Sequence, residues 1–250
     1  GKHYMLPWSS LAYQKIFYNK KIFEDNEIPT PLELFAEGKW TFNALYDTAK
    51  KLYLDENKDG KPERWGMAMV GWHGAKLVHG GGQNMLKIDG TKLVNNISNS
   101  SASNAIKLLQ KMVLTDKICS EILEENKVSE MLSNGTAAMA LGPFFWCETD
   151  GLFDELRQTK SLEWVVLPKE NEQSKHYVYA SGGGYYIPQG VKESDYALIK
   201  AFLISSCVEL REEGKPGSDT YTETLNKWMA KYGEWGYSEE EYQHYADMNT

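Results

Sequence analysis

The chain has 250 residues, of which 42% are hydrophobic and 25% charged, as in folded globular proteins with one large core or two modest ones. The formal net charge of −8, without a clustered basic stripe, argues against nucleic acid as a partner, because Lys and Arg supply most of that affinity. No apolar run approaches the roughly 20 residues of a membrane-spanning helix, so we expect no direct membrane insertion of this chain.

Strand-like segments alternate with amphipathic helices, which predicts an α/β architecture. The helices are indicated by apolar residues at a 3.6-residue spacing and by capping residues at their starts, such as Thr41, Ser194 and Ser238. Helices are predicted across Phe42 to Leu52, Ala102 to Val113, Leu198 to Leu203 and Tyr221 to Tyr232, and after Ser238. Strands are predicted at Lys2 to Leu6, Ile16 to Asn19, Trp65 to Val70, Trp164 to Leu167, Tyr177 to Ala180 and Tyr185 to Ile187.

The segment from Asn134 to Trp146 combines a helix end, a strand and a turn. Asn134-Gly135 is typical of a helix stop that needs a residue with positive φ. A short apolar strand follows, and Gly142-Pro143 forces a turn that presents three aromatic residues at the strand's carboxyl end. Ligands of open α/β sheets bind at that end, and flat aromatic faces suit a sugar ring. Three core aromatics after a turn are an equally weighted alternative.

Trp72 and His73 directly follow the predicted strand from Trp65 to Val70, so they too lie at a carboxyl end. A lone histidine is more often a packed or surface residue than a ligand. The runs Gly80 to Asn84 and Ser181 to Gly184 are rich in glycine but fit neither the dinucleotide-binding nor the phosphate-loop pattern. They indicate close approach of backbone to a ligand, or joints between lobes.

The run from Asp55 to Glu63 resembles the first part of a calcium-binding loop. Oxygen-bearing side chains at loop positions 1, 3, 5 and 9, with Gly at position 6, follow that pattern. Position 12 is Gly66 rather than a bidentate Glu, so the loop is not a complete EF-hand, and a solvated turn without metal is the alternative. The candidate Ca²⁺ ligands are the side chains of Asp55, Asn57, Asp59 and Glu63 and the backbone carbonyl of Lys61.

The sequence carries no positive sign of catalysis. It contains neither a Gly-x-Ser-x-Gly elbow nor a His-Glu-x-x-His motif. Glu121, Glu124 and Glu125 are interpreted as the solvated face or the start of a helix. Carboxylate pairs for glycoside hydrolysis come from distant segments, so the sequence leaves them open. The three cysteines at positions 119, 147 and 207 are too scattered for a disulfide framework or a zinc site.

Over about residues 1–205 the chain resembles the family 1 extracellular solute-binding proteins of ABC importers, which include maltose- and oligosaccharide-binding proteins. Several short motifs carry the resemblance, and they come in the family's order. Gly1–Pro7 is similar to the strand before the first crossover, and Phe17–Phe23 is similar to the YNK-x-(I/L)-F signature. Ile28–Thr41 resembles the PxTWdE helix start, and Asn134–Trp146 resembles the GkaAM…G…W run. Trp164–Pro168 together with Gly182–Ile187 resembles the return crossover.

The resemblance implies a periplasmic-binding-protein-like (type II) architecture, in which crossover strands join two α/β lobes and the ligand lies in the cleft. Closure of the lobes around the ligand gives the form that a membrane permease recognises, without covalent chemistry. The expected ligand is a small-molecule carbohydrate, in the first place an oligosaccharide, and the expected partners are ABC importer permease subunits. The expected location is extracytoplasmic, as a cell-surface lipoprotein or in the periplasm. No cofactor is required, and Ca²⁺ is the single candidate.

The family's ligand contacts can be carried over to matching positions. Phe144 and Trp146 stand where the family stacks aromatic rings on sugars, although many sugar binders carry Trp at the position of Phe144. Trp72 and His73 stand where an aromatic residue of the second lobe often contacts the ligand. The other candidates are Trp8 at the first crossover, Gly182 and Gly183 at the return crossover, and Gln83 and Asn84 as partners of sugar hydroxyls.

Family members usually carry a long segment before the one that starts here, so we expect a fragment that lacks most of the first lobe. Apolar surface would then be exposed or buried by self-association. The expected organisation is a first-lobe strand and crossover at 1–10, the second lobe at 11–175, the return crossover and first-lobe remnant at 176–210, and a helical C-terminal segment at 211–250.

Two other classes of function remain open beside carbohydrate binding. A carbohydrate-active enzyme would need two carboxylates facing a cleft at ~5–10 Å from each other. A non-catalytic, calcium-stabilised adhesion or scaffold module would show metal-dependent stability and no response to sugars.

Overall fold

The computed structural model describes residues 6–7, 11–12, 14–122, 124–143, 146, 153–177, 180–181, 184–185 and 190–202. The chain divides into two compact units, one of them Tyr13–Tyr179 and the other Gly1–Ala12 with Ala180–Thr250. The helices predicted beyond residue 220 lie outside the described residues. So do four candidate site residues, Trp8, Phe144, Gly182 and Gly183.

A five-stranded mixed sheet forms the centre of the unit Tyr13–Tyr179. Its spatial order is β7-β4-β8-β3-β9. Strand β4 pairs in parallel with β7 and β8, and β3 pairs antiparallel with β8 and β9. The carboxyl ends of β7, β4, β8 and β9 therefore share one edge with the amino end of β3, here named the carboxyl edge. The strands are β3 (Gln14–Asn19), β4 (Trp65–Val70), β7 (Cys119–Ile122), β8 (Ala137–Pro143) and β9 (Leu162–Val166).

Eight α-helices are described in this unit, and their ends follow local sequence signals. The Thr41 hydroxyl accepts a hydrogen bond from the Ala44 amide at 3.2 Å, which confirms the predicted N-cap. Gly135, with φ of 78°, is the second residue after the last helical residue, Ser133, which confirms the predicted helix stop. The helices are α1 (Lys20–Asp25), α2 (Pro31–Ala36), α3 (Phe42–Leu52), α4 (Gly71–Gly74), α5 (Leu77–Gly80), α6 (Ser100–Gln110), which continues as a π-helix (Lys111–Thr115), α7 (Glu125–Ser133) and α8 (Asp154–Gln158).

The core of this unit is built around the central strands. Every residue of β3 and β8 is buried, and both strands have neighbours on both sides in the sheet. The indole of Trp40, fully buried, donates a hydrogen bond to the Val166 carbonyl at 2.8 Å. Lys15 is buried as well, and its Nζ lies 4.5 Å from the centre of the Trp164 ring. This cation–π contact offsets part of the cost of burying the ammonium group.

The sequence prediction missed several elements, among them α1, α2, α8 and β7, and Glu121 lies in strand β7 rather than on a helix. Strands β5 (Leu86–Asp89) and β6 (Lys92–Asn95) form an antiparallel hairpin that was not predicted. A two-residue loop joins them, with Gly90 at φ of 61°, as tight hairpins prefer. The predicted cap at Ser194 is wrong, because Ser194 lies inside a 3₁₀ turn (Glu193–Asp195), and residues 196–202 are helical.

The described strands of the other unit form two short antiparallel pairs. Strand β1 (Leu6–Pro7) pairs with β11 (Gly184–Tyr185), and β2 (Leu11–Ala12) pairs with β10 (Ala180–Ser181). In each pair the start of the chain thus lies beside a segment that follows residue 179. Within the part of the chain that the structure describes, no helix has the length and apolar character needed to cross a membrane.

Candidate functional site

Three chain segments meet at the carboxyl edge of the sheet, where β7, β4 and β8 end. Helix α4 begins at Gly71, directly after β4, and carries Trp72 and His73. Trp146 follows β8, and Glu125 is the first residue of α7, which follows β7. Because β7, β4 and β8 are neighbours in the sheet, these side chains come together although they lie far apart in the sequence. The four residues Trp72, His73, Glu125 and Trp146 are here named the Trp72 cluster.

Trp146 is the buried anchor of the cluster. Its side chain is fully buried, and its ring stacks on Phe17 with 6.1 Å between the ring centroids. Phe153 lies 6.3 Å away on the same centroid measure. Gly142 makes this packing possible, because a Cβ at that position would collide with the six-membered ring of the indole. The predicted direct stacking of Trp146 on a ligand does not fit this structure, since neither face of the ring is open.

Glu125 connects the anchor to His73. Its Oε2 accepts a hydrogen bond from Trp146 Nε1 at 3.2 Å, and its Oε1 lies 3.5 Å from His73 Nε2. The carboxylate sits in the first turn of α7, where the helix dipole favours negative charge. The interpretation of Glu125 as the start of a helix is confirmed, but its contacts were not predicted. They depend on the order of strands in the sheet, for which a single sequence gives no direct signal.

His73 is the buried polar residue of the cluster and lies between Glu125 and Trp72. Its side chain is fully buried, and neither ring nitrogen forms a hydrogen bond of ordinary geometry with a residue that the structure describes. Burial lowers the pKa of His73 below the ordinary value of 6.5. The Glu125 carboxylate and the backbone of Leu141 oppose this shift, and the ammonium of Lys76 adds to it. The imidazole is therefore neutral at pH 7. Its ring centroid lies 5.5 Å from that of Trp146.

Trp72 presents the open face of the cluster. Its side chain is 57% exposed, and its ring meets the His73 ring edge-on, with 3.7 Å between centroids and 72° between planes. An indole that is exposed on one side and supported on the other is a flat surface for a ring-shaped, partly apolar ligand. Of the candidate aromatic residues that the structure describes, Trp72 and not Trp146 offers such a surface.

Gln14 brings a further polar group to the carboxyl edge. It is the first residue of β3 and pairs with Pro143, the last residue of β8. The side chain is only 2% exposed, yet among the described residues neither its amide nitrogen nor its amide oxygen has a hydrogen-bond partner. Unpartnered buried amides are rare in folded proteins and often mark a functional group. Gln14 was not predicted from the sequence, because only burial distinguishes it from other glutamines.

Gln83 and Asn84 lie in the turn between α5 and β5, where they have structural contacts. The Asn96 amide donates to Gln83 Oε1 at 3.2 Å and to the Asn84 carbonyl at 2.9 Å. The neighbouring glycine run is needed for packing, since a Cβ at Gly82 would collide with the ring of Tyr177. Among the hydrogen bonds found for the described residues, none joins Gln83 or Asn84 to the Trp72 cluster.

The loop from Asp55 to Glu63 holds itself together with hydrogen bonds from its own backbone. Within the described part of the chain, no group of three or more His, Cys, Asp or Glu side chains is arranged to hold a metal ion. Calcium binding by this loop therefore remains a prediction. The Gly60 amide donates to the Asp55 side chain at 3.2 Å, and the Asp59 amide donates to the Asn57 side chain at 2.9 Å. The Lys61 amide donates to the Asp59 side chain at 2.8 Å, and the Glu56 amide donates to the Glu63 side chain at 3.0 Å.

Comparison with known proteins relates this geometry to one family. A family model of the bacterial extracellular solute-binding proteins matches residues 1–203. The diacetylchitobiose-binding protein DasA of Streptomyces coelicolor is 25% identical over 207 residues, which cover 81% of this chain and 45% of DasA. The chain thus spans about half the length of this relative.

Solved structures share the fold at low sequence identity. The maltose/maltodextrin-binding domain MalE of Bdellovibrio bacteriovorus, bound to maltotriose, superposes with a TM-score of 0.54 at 22% identity, over 85% of this chain and 52% of that one. An ABC transporter solute-binding protein of Agrobacterium radiobacter in complex with ribitol gives 0.55 at 16% identity, over 86% and 52%. The predicted fold class, α/β and periplasmic-binding-protein-like of type II, is confirmed.

Proposed function

The chain belongs to the family of bacterial extracellular solute-binding proteins, as the resemblance of its motifs predicted, and from this premise we propose that it binds a carbohydrate, in the first place an oligosaccharide. The names of two similar proteins support a sugar ligand, since one binds diacetylchitobiose and the other was solved with maltotriose. Both ligands are short chains of sugar rings, which an aromatic surface with polar neighbours can recognise.

The exposed indole of Trp72 at the carboxyl edge carries this proposal. A pyranose ring has an apolar face of C–H groups, which packs on an indole, and a rim of hydroxyls that needs hydrogen-bond partners. Gln14, whose buried amide has no partner, is a candidate for that polar role at the same edge. Because the buried His73 behind the indole is neutral and the nearby Glu125 carboxylate is partly exposed, the site suits an uncharged molecule better than an anion.

The other candidate residues are proposed for the same site. Gln83 retains its amide nitrogen for a ligand hydroxyl, since its contact with Asn96 uses the oxygen. Asn84 is exposed, so its side chain is accessible from solvent. The candidates that lie outside the described residues keep the roles that the family resemblance implies: Trp8, Phe144, Gly182 and Gly183.

Membership of this family supports binding without covalent chemistry, and we propose that the protein is not an enzyme. We also propose delivery of the bound sugar to the permease subunits of an ABC importer. The Agrobacterium radiobacter relative, described as a solute-binding protein of an ABC transporter, supports that partner. The family's extracellular assignment supports an extracytoplasmic location, and anchoring as a lipoprotein is a further proposal.

A thermal-shift screen against mono- and oligosaccharides tests the proposal. A ligand at 100 times its dissociation constant adds about 2.7 kcal/mol to the unfolding free energy. For a chain of this size that gain raises the melting temperature by roughly 5 °C or more. The screen includes maltotriose and N,N′-diacetylchitobiose, with a charged sugar acid as the discriminating comparison. Carbohydrate binding would be contradicted if no neutral sugar shifted the melting temperature while a ligand of an unrelated class did. Turnover of a sugar substrate would instead favour an enzyme.

A further inference from the structure

We propose that Glu125 is a positioning residue that fixes the orientation of the Trp72 indole through His73, while its second carboxylate oxygen is held by the buried Trp146. The inference rests on the proposed function in one respect, namely that Trp72 is the surface that meets the ligand. The positioning itself is a property of the protein without ligand, so it can be tested separately.

The two oxygens of Glu125 have different partners, and this division makes the carboxylate a link. Trp146 Nε1 donates to Oε2 at 3.2 Å, and the Trp146 ring packs against Phe17 of β3 and against Phe153. The carboxylate is therefore held by a group that cannot move without disturbing the core. Its other oxygen, Oε1, lies 3.5 Å from His73 Nε2 and limits where that nitrogen can point.

His73 depends on Glu125 for this restraint. The ring is fully buried, neither nitrogen has a hydrogen bond of ordinary geometry to a described residue, and the Glu125 carboxylate lies 3.5 Å from Nε2. The same ring meets Trp72 at a centroid distance of 3.7 Å. At that distance a rotation of the imidazole displaces the indole, because the two rings are already in contact. The order of contacts runs from the core through Trp146, Glu125 and His73 to the exposed Trp72.

The neighbouring Glu124 is a control position, because it carries the same charge at the start of α7 without the contacts of Glu125 to His73 and Trp146. Glu124 is the N-cap residue, it is exposed, and its carboxylate lies 3.9 Å from the Lys127 ammonium. Both carboxylates benefit from the helix dipole, but only Glu125 contacts the cluster. Two charged groups face His73 from the packed elements, Glu125 from α7 and Lys76 from the turn after α4.

Fluorine NMR of the full chain labelled with 5-fluorotryptophan tests the positioning without any ligand. The sequence has 8 tryptophans, and Trp72→Phe assigns the resonance of Trp72. In Glu125→Ala we expect the Trp72 resonance to shift and broaden, because the imidazole behind it gains freedom. In the matched control, Glu124→Ala, we expect no change. An unchanged Trp72 resonance in Glu125→Ala would overturn the proposal.

A milder variant covers the case in which Glu125→Ala does not fold, and it separates positioning from simple packing. Glu125→Gln keeps an oxygen for Trp146 but removes the charge that faces His73. The Trp72 resonance of the wild type should titrate with His73, and Glu125→Gln should move the midpoint to lower pH, since the carboxylate raises the pKa of His73. Glu124→Gln should leave the midpoint in place. Equal midpoints in all three proteins would refute the link.

Binding measurements connect the positioning to the proposed function. With maltotriose and N,N′-diacetylchitobiose as probes, Glu125→Ala should raise the dissociation constant about tenfold, which is the loss of roughly one hydrogen bond to a charged group. Glu124→Ala should bind like the wild type. If the wild type binds neither probe, the proposed function fails for these two sugars, and the NMR comparison still decides whether Glu125 positions Trp72.

Discussion

The Trp72 cluster and the loop from Asp55 to Glu63 are both candidate sites, but they are built in opposite ways. The loop is contiguous, and its side chains accept hydrogen bonds from its own backbone at 2.8–3.2 Å. The cluster gathers residues that follow three different strands, and it leaves the His73 nitrogens without partners and the Trp72 face exposed. Each of the loop's four acceptor side chains takes a backbone hydrogen bond, although Asp55 Oδ1, like the His73 nitrogens, is buried without a partner among the described residues. The cluster differs in exposing an aromatic face at the carboxyl edge, where ligands of such sheets bind.

The largest expected effect comes from removing the anchor of the cluster. Trp146→Ala should lower the free energy of unfolding by about 3–5 kcal/mol, because a fully buried indole leaves a cavity. Urea denaturation followed by circular dichroism measures the change. In the loop, Asp59→Ala should cost no more than about 0.5 kcal/mol, since the residue is exposed. Similar losses for the two variants would remove the distinction between the regions.

Gly142 gives the next largest effect. Gly142→Ala should lower the free energy of unfolding by about 1–3 kcal/mol, because the new methyl group collides with the Trp146 ring, which has no room to yield. Gly60→Ala in the loop also destabilises, but by strain at a φ of 79° rather than by collision. The 5-fluorotryptophan spectrum separates the two causes. Only Gly142→Ala should move the Trp146 resonance, and an unmoved resonance would contradict the packing described for the cluster.

Acidification should weaken the cluster, since its histidine has a lowered pKa. The unfolded chain takes up a proton near the ordinary pKa of 6.5, while native His73 resists protonation because it is buried. The free energy of unfolding therefore falls as the pH drops below about 6.5, by at most ~1.4 kcal/mol for each pH unit and each such group. Burial also lowers the pKa of His79 and His176, so His73→Gln should remove only part of the slope between pH 7.5 and 5.5. A slope unaffected by His73→Gln would mean that His73 is not held neutral.

The sequence predicted the local structure of several segments correctly, but it did not predict which residues from distant segments surround them. The N-cap at Thr41, the helix stop at Gly135 and the strand from Trp65 to Val70 were correct, because each depends on neighbours in the chain. The position of Trp72 after a strand could also be predicted. The burial of Trp146 could not, since it results from Phe17 on another strand and from a glycine that leaves room for the indole.

The missed residues have a common physical reason. Glu125 and Gln14 acquire their special environments from pairing between strands that are distant in sequence. Nothing in their immediate neighbours separates them from solvated polar residues. The β5–β6 hairpin is a different case, because Leu86-Lys87-Ile88 alternates and Asp89-Gly90 is typical of a hairpin turn, so its signal was present in the sequence and was overlooked.

The smallest expected effect concerns calcium at the Asp55–Glu63 loop. If the loop binds calcium with millimolar affinity, calcium at twice the dissociation constant adds about 0.6 kcal/mol to the unfolding free energy. We propose such weak binding and expect Asp55→Asn to abolish the corresponding rise in melting temperature. Differential scanning fluorimetry with calcium, and with magnesium as the control, measures it. A wild type that does not respond to calcium would identify the loop as a solvated turn.

The most direct test of the central claim is a titration of the sugar found by the thermal-shift screen into Trp72→Ala and a matched control. Leu114→Ala also removes an exposed apolar side chain, 68% exposed against 57% for Trp72, but in the π-helical segment that leads to the amino end of β7. Both variants should keep the wild-type stability to within about 0.5 kcal/mol. Calorimetry should then show binding weakened at least about tenfold in Trp72→Ala and unchanged in Leu114→Ala. Equal affinity in the two variants would contradict the assignment of the carboxyl edge as the ligand site.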